Sequence, residues 1–383
     1  MIFLVVPVLL FFLTALALNA VFVFVYNHYL AMMHESSIKK VVALGGLPSG
    51  TLLSLFLVAQ TYWGPAGFVV PLLLWILSFL GVLILLAEFR LQYLRRRLRW
   101  FAPRTEVIPF PQGSPVPFSR YSALSRLVLW FLQPINQVGS LRVHHVRISP
   151  RELPGLKPDW NGYTIVHFTD WHLHHTLQPE WTEFVFGEIQ RQKPDLILFG
   201  GDFLSKYPHV NHVQDYLSQL QAPDGVYFVR GNHDFWKSPT RLKRIAVNQG
   251  WRHLSNSGVV LQRGDSSLSI QGLESPYIPL GDAERLELLA FPEPRLCLVH
   301  TPEAYALAQE VGASIAIAGH THGGQMRLPF FGTVLSGCGA SRLLVDGPIL
   351  HRGLRALTSR GVGAFFPLRV LCPPEFHVFH LEA

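Results

Sequence analysis

Three apolar runs lie within the first ninety residues, and they restrict what this part of the chain can fold into more than any other feature. The runs cover residues 2–26, 41–63 and 67–89, and the only charged side chain in them is Glu88. About 20 apolar residues in a helix cross the ~30 Å hydrocarbon core of a bilayer. Because main-chain N–H and C=O groups in hydrocarbon need internal hydrogen bonds, runs of this kind are helical. We therefore predict an all-helical transmembrane region, residues 1–100, with three spans.

The basic residues beside these spans predict their orientation. Cytoplasmic loops of membrane proteins are enriched in lysine and arginine. Lys39 and Lys40 precede the second span, and an arginine collar follows the third, at Arg90, Arg95, Arg96, Arg97 and Arg99. The pattern predicts a multi-pass protein of the cell or inner membrane, with an outer N-terminus, the loop of Lys39 and Lys40 inside, and everything after Arg90 in the cytoplasm. A cleaved signal peptide is the alternative for the first run, although residues 2–10 lack the usual basic residues.

Residues 101–140 are predicted to connect the membrane region to a second domain. Residues 103–117 are rich in proline, which cannot continue a helix, and read as a linker. After this linker, Leu124, Leu127 and Phe131 follow one another at helical spacing. A short amphipathic helix is expected here, and two positions stay open for it: on the membrane surface, or packed against the second domain.

From residue 141 to the C-terminus, short apolar runs alternate with helical stretches. Continuous apolar runs of this length, separated by helices, are typical of strands buried between helical layers. The sequence therefore predicts an α/β fold for residues 141–383. The predicted strands are residues 163–169, 195–200, 225–230, 295–299 and 314–318.

A polar residue with a metal-ligand side chain follows each of the five predicted strands. In open α/β sheets, ligands bind beyond the carboxyl ends of the strands. Carboxylate, imidazole and amide groups together suit Mn²⁺, Fe²⁺ or Zn²⁺ better than Mg²⁺, and the set is too large for one ion. Two ions that share a carboxylate would use it fully, as in two-metal phosphoryl transfer. Each motif alone is commonly only a turn, but the ordered series predicts a site: Asp170 and His172, Asp202, Asn232 and His233, His300, then His320 and His322.

This ordered series resembles the calcineurin-like metallophosphoesterases, over about residues 141 to 382. The stretches GNHDFW and GHTHGGQMRLPFFG and the closing SRGVGAFFPLRVLCPPEFHVFHL are similar to the membrane-anchored YkuE- and YaeI-type branch. The resemblance implies a two-sheet sandwich flanked by helices, with two divalent metal ions. It implies Asp170, His172 and His322 at the first ion, Asn232, His300 and His320 at the second, Asp202 between them, and His233 as the catalytic residue beside the scissile phosphate.

Some residues near these motifs are open to more than one interpretation. Many members of the family have an aspartate that orients the catalytic histidine where this chain has Ser205, so Asp234 or another carboxylate would have to replace it. His174 and Arg327 are candidates for binding substrate phosphate or an anionic headgroup. His167, inside a predicted strand, is expected to be a core histidine with its hydrogen bonds satisfied.

The anchor and the site together predict a membrane enzyme that hydrolyses a phosphodiester or pyrophosphate bond. A lipid-linked substrate is favoured, because anionic lipids are dense where the arginine collar would lie. The resemblance includes hydrolysis of UDP-2,3-diacylglucosamine in lipid A biosynthesis. A soluble phosphodiester or a phosphoprotein is an alternative substrate, and a non-catalytic membrane scaffold with a metal site is an alternative function. No nucleic-acid partner is expected despite the net charge of +7, because the basic residues cluster beside the membrane.

Overall fold

A computed structural model describes most of the chain and divides it into two compact units. The first unit is Met1–Arg97 with Phe330–Gly339, and the second is Leu98–Pro329 with Ala340–Ala383. The described residues are 2–25, 50–58, 69–116, 121–173, 177–204, 210–237, 239–328, 332–333, 336–364 and 367–383.

Two long helices form most of the described part of the first unit. Helix α1 spans Ile2–Val25 and helix α2 spans Val69–Arg97, and residues 50–58 are also helical. The two helices pack closely, since a Cβ on Gly81 would lie 2.3 Å from the carbonyl oxygen of Leu13. Small residues at such a contact let two apolar helices approach each other without a hydrophobic driving force.

The membrane prediction is supported only in part. Among the described residues, one helix, Ile76–Arg97, is long and apolar enough to cross a bilayer, and Val6–Val21 is a shorter apolar helix. Most of the second predicted span lies outside the described residues. The third predicted span, residues 67–89, ends within α2, which continues from Phe89 through the arginines to Arg97. A fall in hydropathy marks where the apolar run ends. The main-chain hydrogen bonds of a helix do not depend on hydropathy, so the helix can continue beyond that point.

The second unit contains two mixed sheets, as expected for the predicted α/β sandwich. The first has seven strands in the order β1-β2-β15-β3-β4-β5-β6, and the second has six in the order β13-β14-β10-β9-β8-β7. The strands of the first sheet are β1 Arg104–Pro109, β2 Ser140–Ile148, β3 Thr164–Phe168, β4 Leu196–Phe199, β5 Val226–Phe228, β6 Arg252–His253 and β15 Glu375–Leu381. The strands of the second are β7 Ser257–Arg263, β8 Ser266–Leu273, β9 Arg295–Val299, β10 Ile315–Ala318, β13 Gly347–His351 and β14 Leu354–Thr358. The short strand β11 Arg327–Leu328 also belongs to this unit, whereas the short strand β12 Gly332–Thr333 belongs to the first.

The main apolar core lies between the two sheets, and helices cover their outer faces. Ile165 of the first sheet and Ile270 and Leu298 of the second belong to one buried cluster. A separate buried cluster joins the outer face of the first sheet to Trp181 and Val185. The helices of this unit are α3 Ala123–Leu132, α4 Pro179–Arg191, α5 Val210–Leu217, α6 Asn232–Lys237, α7 Pro239–Asn248, α8 Asp282–Leu289 and α9 Tyr305–Glu310.

Part of the segment predicted as a linker belongs to the first sheet. Residues Arg104–Pro109 form β1, which pairs antiparallel with β2 from Arg104 opposite His145 to Pro109 opposite Ser140. A proline is tolerated here because β1 is an edge strand and Pro109 is its last residue. The second unit therefore begins before residue 141.

A row of polar side chains crosses the first sheet below the strand ends that carry the predicted site. His144 on β2 and His167 on β3 both face His377 on β15, which lies between them. Glu375 accepts a hydrogen bond from His144 at 3.1 Å and lies 3.4 Å from the Arg360 guanidinium.

The expectation that the hydrogen bonds of His167 are satisfied was wrong, because neither ring nitrogen has a hydrogen-bond partner among the described residues. Burial lowers the pKa of His167 well below its usual range, so the ring is neutral.

Candidate metal centre

The five strand ends that carry the predicted site meet at one edge of the sandwich. Strands β3, β4 and β5 are parallel neighbours in the first sheet, and β9 and β10 are parallel neighbours in the second. Parallel neighbours place their carboxyl ends on the same side, so the loops that follow them converge. Asp170 follows β3, Asp202 follows β4, Asn232 and His233 follow β5, His300 follows β9, and His320 follows β10.

Asp170, His172 and His322 form the first of two ligand clusters. The Nε2 atoms of His172 and His322 are 2.9 Å apart, and they lie 3.9 Å and 3.6 Å from Oδ1 of Asp170. Ligand atoms bonded at about 2.1 Å to one cation are themselves separated by roughly 3.0–3.4 Å. The three residues that the sequence predicts for one ion are therefore gathered around one point.

The second cluster consists of Asn232, His300 and His320. Oδ1 of Asn232 lies 3.1 Å from Nε2 of His300 and 2.9 Å from Nδ1 of His320. Asp202 lies between the two clusters, since its Oδ2 is 3.4 Å from Nε2 of His172 and 3.4 Å from Nε2 of His300. One carboxylate oxygen is thus equally close to both groups of ligand atoms.

His233 lies beside these clusters rather than within one of them. Its main-chain N–H donates to Oδ1 of Asp202 at 2.9 Å, and its ring meets the ring of His172 edge to face, with centroids 4.8 Å apart. A nitrogen of the His233 ring lies within 4.8 Å of ligand atoms of His172 and Asp202. The imidazole can therefore reach an atom held at the first cluster.

Many residues in the ligand loops have positive φ angles, a backbone conformation that is strained for residues other than glycine. Positive φ angles are uncommon outside glycine and cluster at functional sites. Two glycines permit close approach: a Cβ on Gly231 would lie 2.0 Å from Oδ1 of Asp202, and one on Gly319 would lie 2.2 Å from Oδ2 of Asp170. Five of the seven predicted ligands have positive φ: Asp170 (54°), His172 (49°), Asp202 (60°), His320 (71°) and His322 (50°).

Hydrogen bonds behind the ligands hold their orientations. Nδ1 of His300 is 2.7 Å from the carbonyl oxygen of Gly200, so this nitrogen donates and Nε2 is left with a lone pair directed at Asp202 and Asn232. Thr169 donates to Oδ2 of Asp170 at 2.8 Å. Partners of this kind fix the ring orientation and the tautomer of ligating histidines.

Burial shifts the proton affinity of the site. It raises the pKa of the Asp170 and Asp202 carboxyls to about 7, because a charged carboxylate is poorly solvated there. Burial, together with the neighbouring Asp202, also raises the pKa of Asp234 to about 7. Burial and the adjacent His172 hold the pKa of His322 well below its usual range, which favours the neutral ring that binds metals. Closely packed buried carboxylates of this kind are stabilised in their charged form by bound cations.

Arg369 contacts the first cluster and was not predicted from the sequence. Its side chain is fully buried, and Nη2 lies 3.2 Å from Nδ1 of His322. The same guanidinium donates to main-chain oxygens of Arg360, Gly363 and Cys372. No local motif marks this arginine, because its contact with His322 spans 47 residues of chain.

Arg327 and Asp234, which the sequence also singles out, are not members of the two ligand clusters. The Arg327 side chain is mostly buried, and its guanidinium forms an ion pair with the carboxylate of Asp346. Asp234 accepts main-chain N–H groups from Asp202, Phe203 and Gly231, so its carboxylate supports the loops themselves. His174 and Ser205 lie outside the described residues.

Comparison with known proteins places this arrangement in a family. Residues 163–324 match the calcineurin-like phosphoesterases. The chain is 31% identical to the uncharacterized metallophosphoesterase YkuE of Bacillus subtilis, over 58% of this chain and 80% of that protein. It is 29% identical to phosphodiesterase YaeI of Escherichia coli, over 50% of this chain and 71% of that protein. It is 24% identical to UDP-2,3-diacylglucosamine pyrophosphatase LpxG of Chlamydia trachomatis, over 60% of this chain and 89% of that protein.

Proposed function

The chain belongs to the calcineurin-like phosphoesterases, hydrolases of phosphoester bonds, and from this premise we propose that it is a membrane-anchored enzyme with two divalent cations. The bond it cleaves is a phosphodiester or pyrophosphate in a lipid-linked substrate. One observation supports the two-cation site above the others: Oδ2 of Asp202 is 3.4 Å from Nε2 of His172 and 3.4 Å from Nε2 of His300. A shared carboxylate is what a pair of adjacent cations requires.

The donor set fits such a pair of cations. Asp170, His172 and His322 would hold the first, and Asn232, His300 and His320 would hold the second, with Asp202 shared. Carboxylate, imidazole and amide oxygen together favour Mn²⁺, Fe²⁺ or Zn²⁺. When bound, the cations supply Lewis-acid activation of water and neutralise charge on the phosphoryl oxygens.

His233 has the position of a general acid in this proposal. Its ring lies against His172 at a centroid distance of 4.8 Å, and its main chain is fixed by Asp202. A protonated imidazole there would donate to the leaving oxygen or stabilise the charge of the transition state. The cysteines Cys297, Cys338 and Cys372 are all buried, which favours direct attack by water over a thiol nucleophile.

Membrane anchoring is proposed to be multi-pass, with the catalytic domain on the cytoplasmic side. The apolar helix Ile76–Arg97 supports membrane association, as does 25% identity to a transmembrane protein with a metallophosphoesterase domain from Danio rerio. Three arginines in the last turn of α2 suit the cytoplasmic end of a span. We propose residues 1–100 as the membrane region, 101–140 as the connection and 141–383 as the catalytic domain, to which the connection adds the edge strand β1.

A lipid-linked substrate is supported by the similarity to LpxG, whose name states that it hydrolyses UDP-2,3-diacylglucosamine. That molecule combines two acyl chains with a pyrophosphate, so it would be cleaved by an enzyme held at a membrane. The name of YaeI, a phosphodiesterase, leaves a simpler diester as the other outcome.

Full-length protein in detergent micelles provides the test, with Mn²⁺ added after chelation. We expect UMP release from UDP-2,3-diacylglucosamine, and also turnover of a soluble aryl phosphodiester. His233→Ala should reduce turnover by at least ~100-fold, since general acid groups alone contribute 10²–10⁴-fold. Asp202→Asn should also reduce it by at least ~100-fold, because it removes the carboxylate that both cations would share. Asp265→Asn, in an exposed turn, is the matched control.

The outcomes separate the parts of the proposal. Aryl phosphodiester turnover without UMP release would remove the lipid substrate and keep the enzyme class. Equal turnover by the parent, Asp202→Asn and His233→Ala proteins would contradict the catalytic assignment, and turnover at the background level in all three would favour a membrane scaffold.

A further inference from the structure

Helix α3 and the 3-10 turn Gln133–Ile135 after it expose an apolar surface on the second unit. Five side chains contribute, and each is between 48% and 66% exposed: Leu127, Val128, Trp130, Phe131 and Ile135. Single exposed apolar residues are normal, but a contiguous set that includes two aromatic rings marks an interaction site. Leu129, between these residues in the sequence, is only 8% exposed, so α3 is not exposed on every side. We call these five residues the α3 apolar surface.

We propose that the α3 apolar surface inserts into the boundary between headgroups and acyl chains of an anionic bilayer. The proposal rests on the proposed function, because it gives the catalytic domain its own contact with the membrane that carries the substrate. Trp130 and Phe131 have adjacent rings, with centroids 5.0 Å apart. Aromatic and leucine side chains on one face of a helix, buried about 5–10 Å into the interface, are the usual means of such attachment.

The charge of the surrounding chain fits an anionic lipid surface. Between Glu106 and Glu152 the sequence contains no acidic residue. The same interval contains Arg126, which is exposed on α3 itself; Arg147, at the far end of β2, lies 3.4 Å from Glu382. Each basic residue near an anionic leaflet adds about 1 kcal/mol of attraction, whereas an acidic residue there would be repelled. A lipid surface therefore matches the segment better than a mixed-charge protein surface does.

Hydrogen bonds connect this surface to the metal centre. Asn136, directly after the turn, donates to the carbonyl oxygen of Pro367 at 2.9 Å and accepts the N–H of Arg369 at 3.0 Å. Gln137 donates its N–H to the carbonyl oxygen of Arg369 at 2.7 Å. Arg369 in turn contacts the predicted ligand His322. Docking of α3 thereby fixes the orientation of the metal centre relative to the lipid headgroups.

A lipid-quenching experiment tests the insertion without using catalysis. The full chain is reconstituted in vesicles of phosphatidylethanolamine and phosphatidylglycerol, and a nitrobenzoxadiazole probe is attached to Val128→Cys. The matched control is Leu286→Cys on α8, which is 68% exposed. We expect a doxyl-labelled lipid to quench the Val128 probe and to leave the Leu286 probe unchanged. Equal quenching of the two probes, or a Val128 probe shielded from water but not quenched by lipid, overturns the proposal, and the second result assigns the surface to a protein partner.

A second variant separates this inference from the proposed function. Trp130→Ser with Phe131→Ser should abolish the quenching and lower UMP release from vesicle-borne UDP-2,3-diacylglucosamine about tenfold or more, because two large side chains lose their apolar contact. Turnover of a soluble aryl phosphodiester should stay unchanged, which also shows that the variant folds. The control Val247→Ser with Leu286→Ser should leave both reactions unchanged. Quenching without UMP release contradicts the proposed substrate alone, whereas UMP release that the double variant does not lower contradicts the role of the surface.

Discussion

Asp234 accepts the main-chain N–H of Asp202 at 2.8 Å, and this contact joins the two central loops of the metal centre. The same carboxylate accepts the N–H groups of Phe203 and Gly231, each at 2.9 Å. One buried side chain therefore holds the loop that carries the shared ligand against the loop that carries Asn232 and His233.

Asp234→Asn should loosen this connection. An amide nitrogen cannot accept a hydrogen bond, so at least one of the three main-chain donors would be left buried and unpaired. Such a group costs about 1–3 kcal/mol, which we expect as the loss in free energy of unfolding in a urea titration. Turnover should fall as well, because Asp202 and His233 lose their fixed separation. Asp265→Asn, on an exposed turn, should change neither quantity.

Metal binding should weaken as the pH falls below about 7. Burial raises the pKa of both Asp170 and Asp202 to about 7 in the metal-free protein, so each holds a proton below that pH. A cation must displace these protons, which costs up to about tenfold in affinity per pH unit for each proton released. Calorimetric titration of chelated protein with Mn²⁺ in buffers of different ionisation enthalpy measures both the affinity and the proton release. An affinity that stays constant from pH 5.5 to pH 8 would contradict this expectation.

Glu274→Gln should destabilise the loop after β5. The Glu274 carboxylate is fully buried and accepts both the main-chain N–H and the guanidinium of Arg230, at 2.8–2.9 Å. Removing one partner of a buried pair leaves an uncompensated charge and costs about 3–5 kcal/mol. Denaturant unfolding measures the loss, and Glu287→Gln, exposed on α8, is the control.

The same pair predicts an acid dependence of stability. Hydrogen bonds from Arg230 and His253 overcome the effect of burial and lower the pKa of Glu274 from 4.5 to about 2. Because the pKa of the folded form lies below that of the unfolded chain, this stabilisation is fully present above about pH 4.5 and is lost as the pH falls toward 2. In Glu274→Gln the decline of unfolding free energy across this range should be shallower. An identical slope in both proteins would show that the pair carries no such linkage.

Arg369→Lys should impair the first ligand cluster more than the second. Lysine keeps the charge but lacks the planar fork that donates to several oxygens at once. His322 would lose its neighbour at 3.2 Å and its fixed ring orientation. We expect a lower metal content by elemental analysis after gel filtration, with a stoichiometry closer to one ion than to two. Arg295→Lys, whose guanidinium donates to main-chain oxygens near the surface, should retain the parent stoichiometry.

The strands and the motifs after them could be predicted because both signals are local. Residues 314–318 were predicted as a strand and β10 covers Ile315–Ala318, since a continuous apolar run ends at a glycine. The contacts behind the ligands could not be predicted in this way. Asp234 and Asp202 are separated by 32 residues, and Arg230 and Glu274 by 44. Only the folded arrangement of the loops brings such pairs together, and a single sequence carries no periodic pattern that marks them.

The exposure of Trp130 and Phe131, each 66% accessible, affects how the catalytic half would behave apart from the N-terminal apolar helices. Deleting the N-terminal helices would remove the obvious source of insolubility, yet two aromatic rings would still face water. Molecules shortened in this way should self-associate, or should adsorb to detergent and lipid, unless these two positions are made polar. Solubility of the isolated hydrolase should therefore depend on the short helix α3 as well as on the deleted helices, and purification conditions should be chosen for α3.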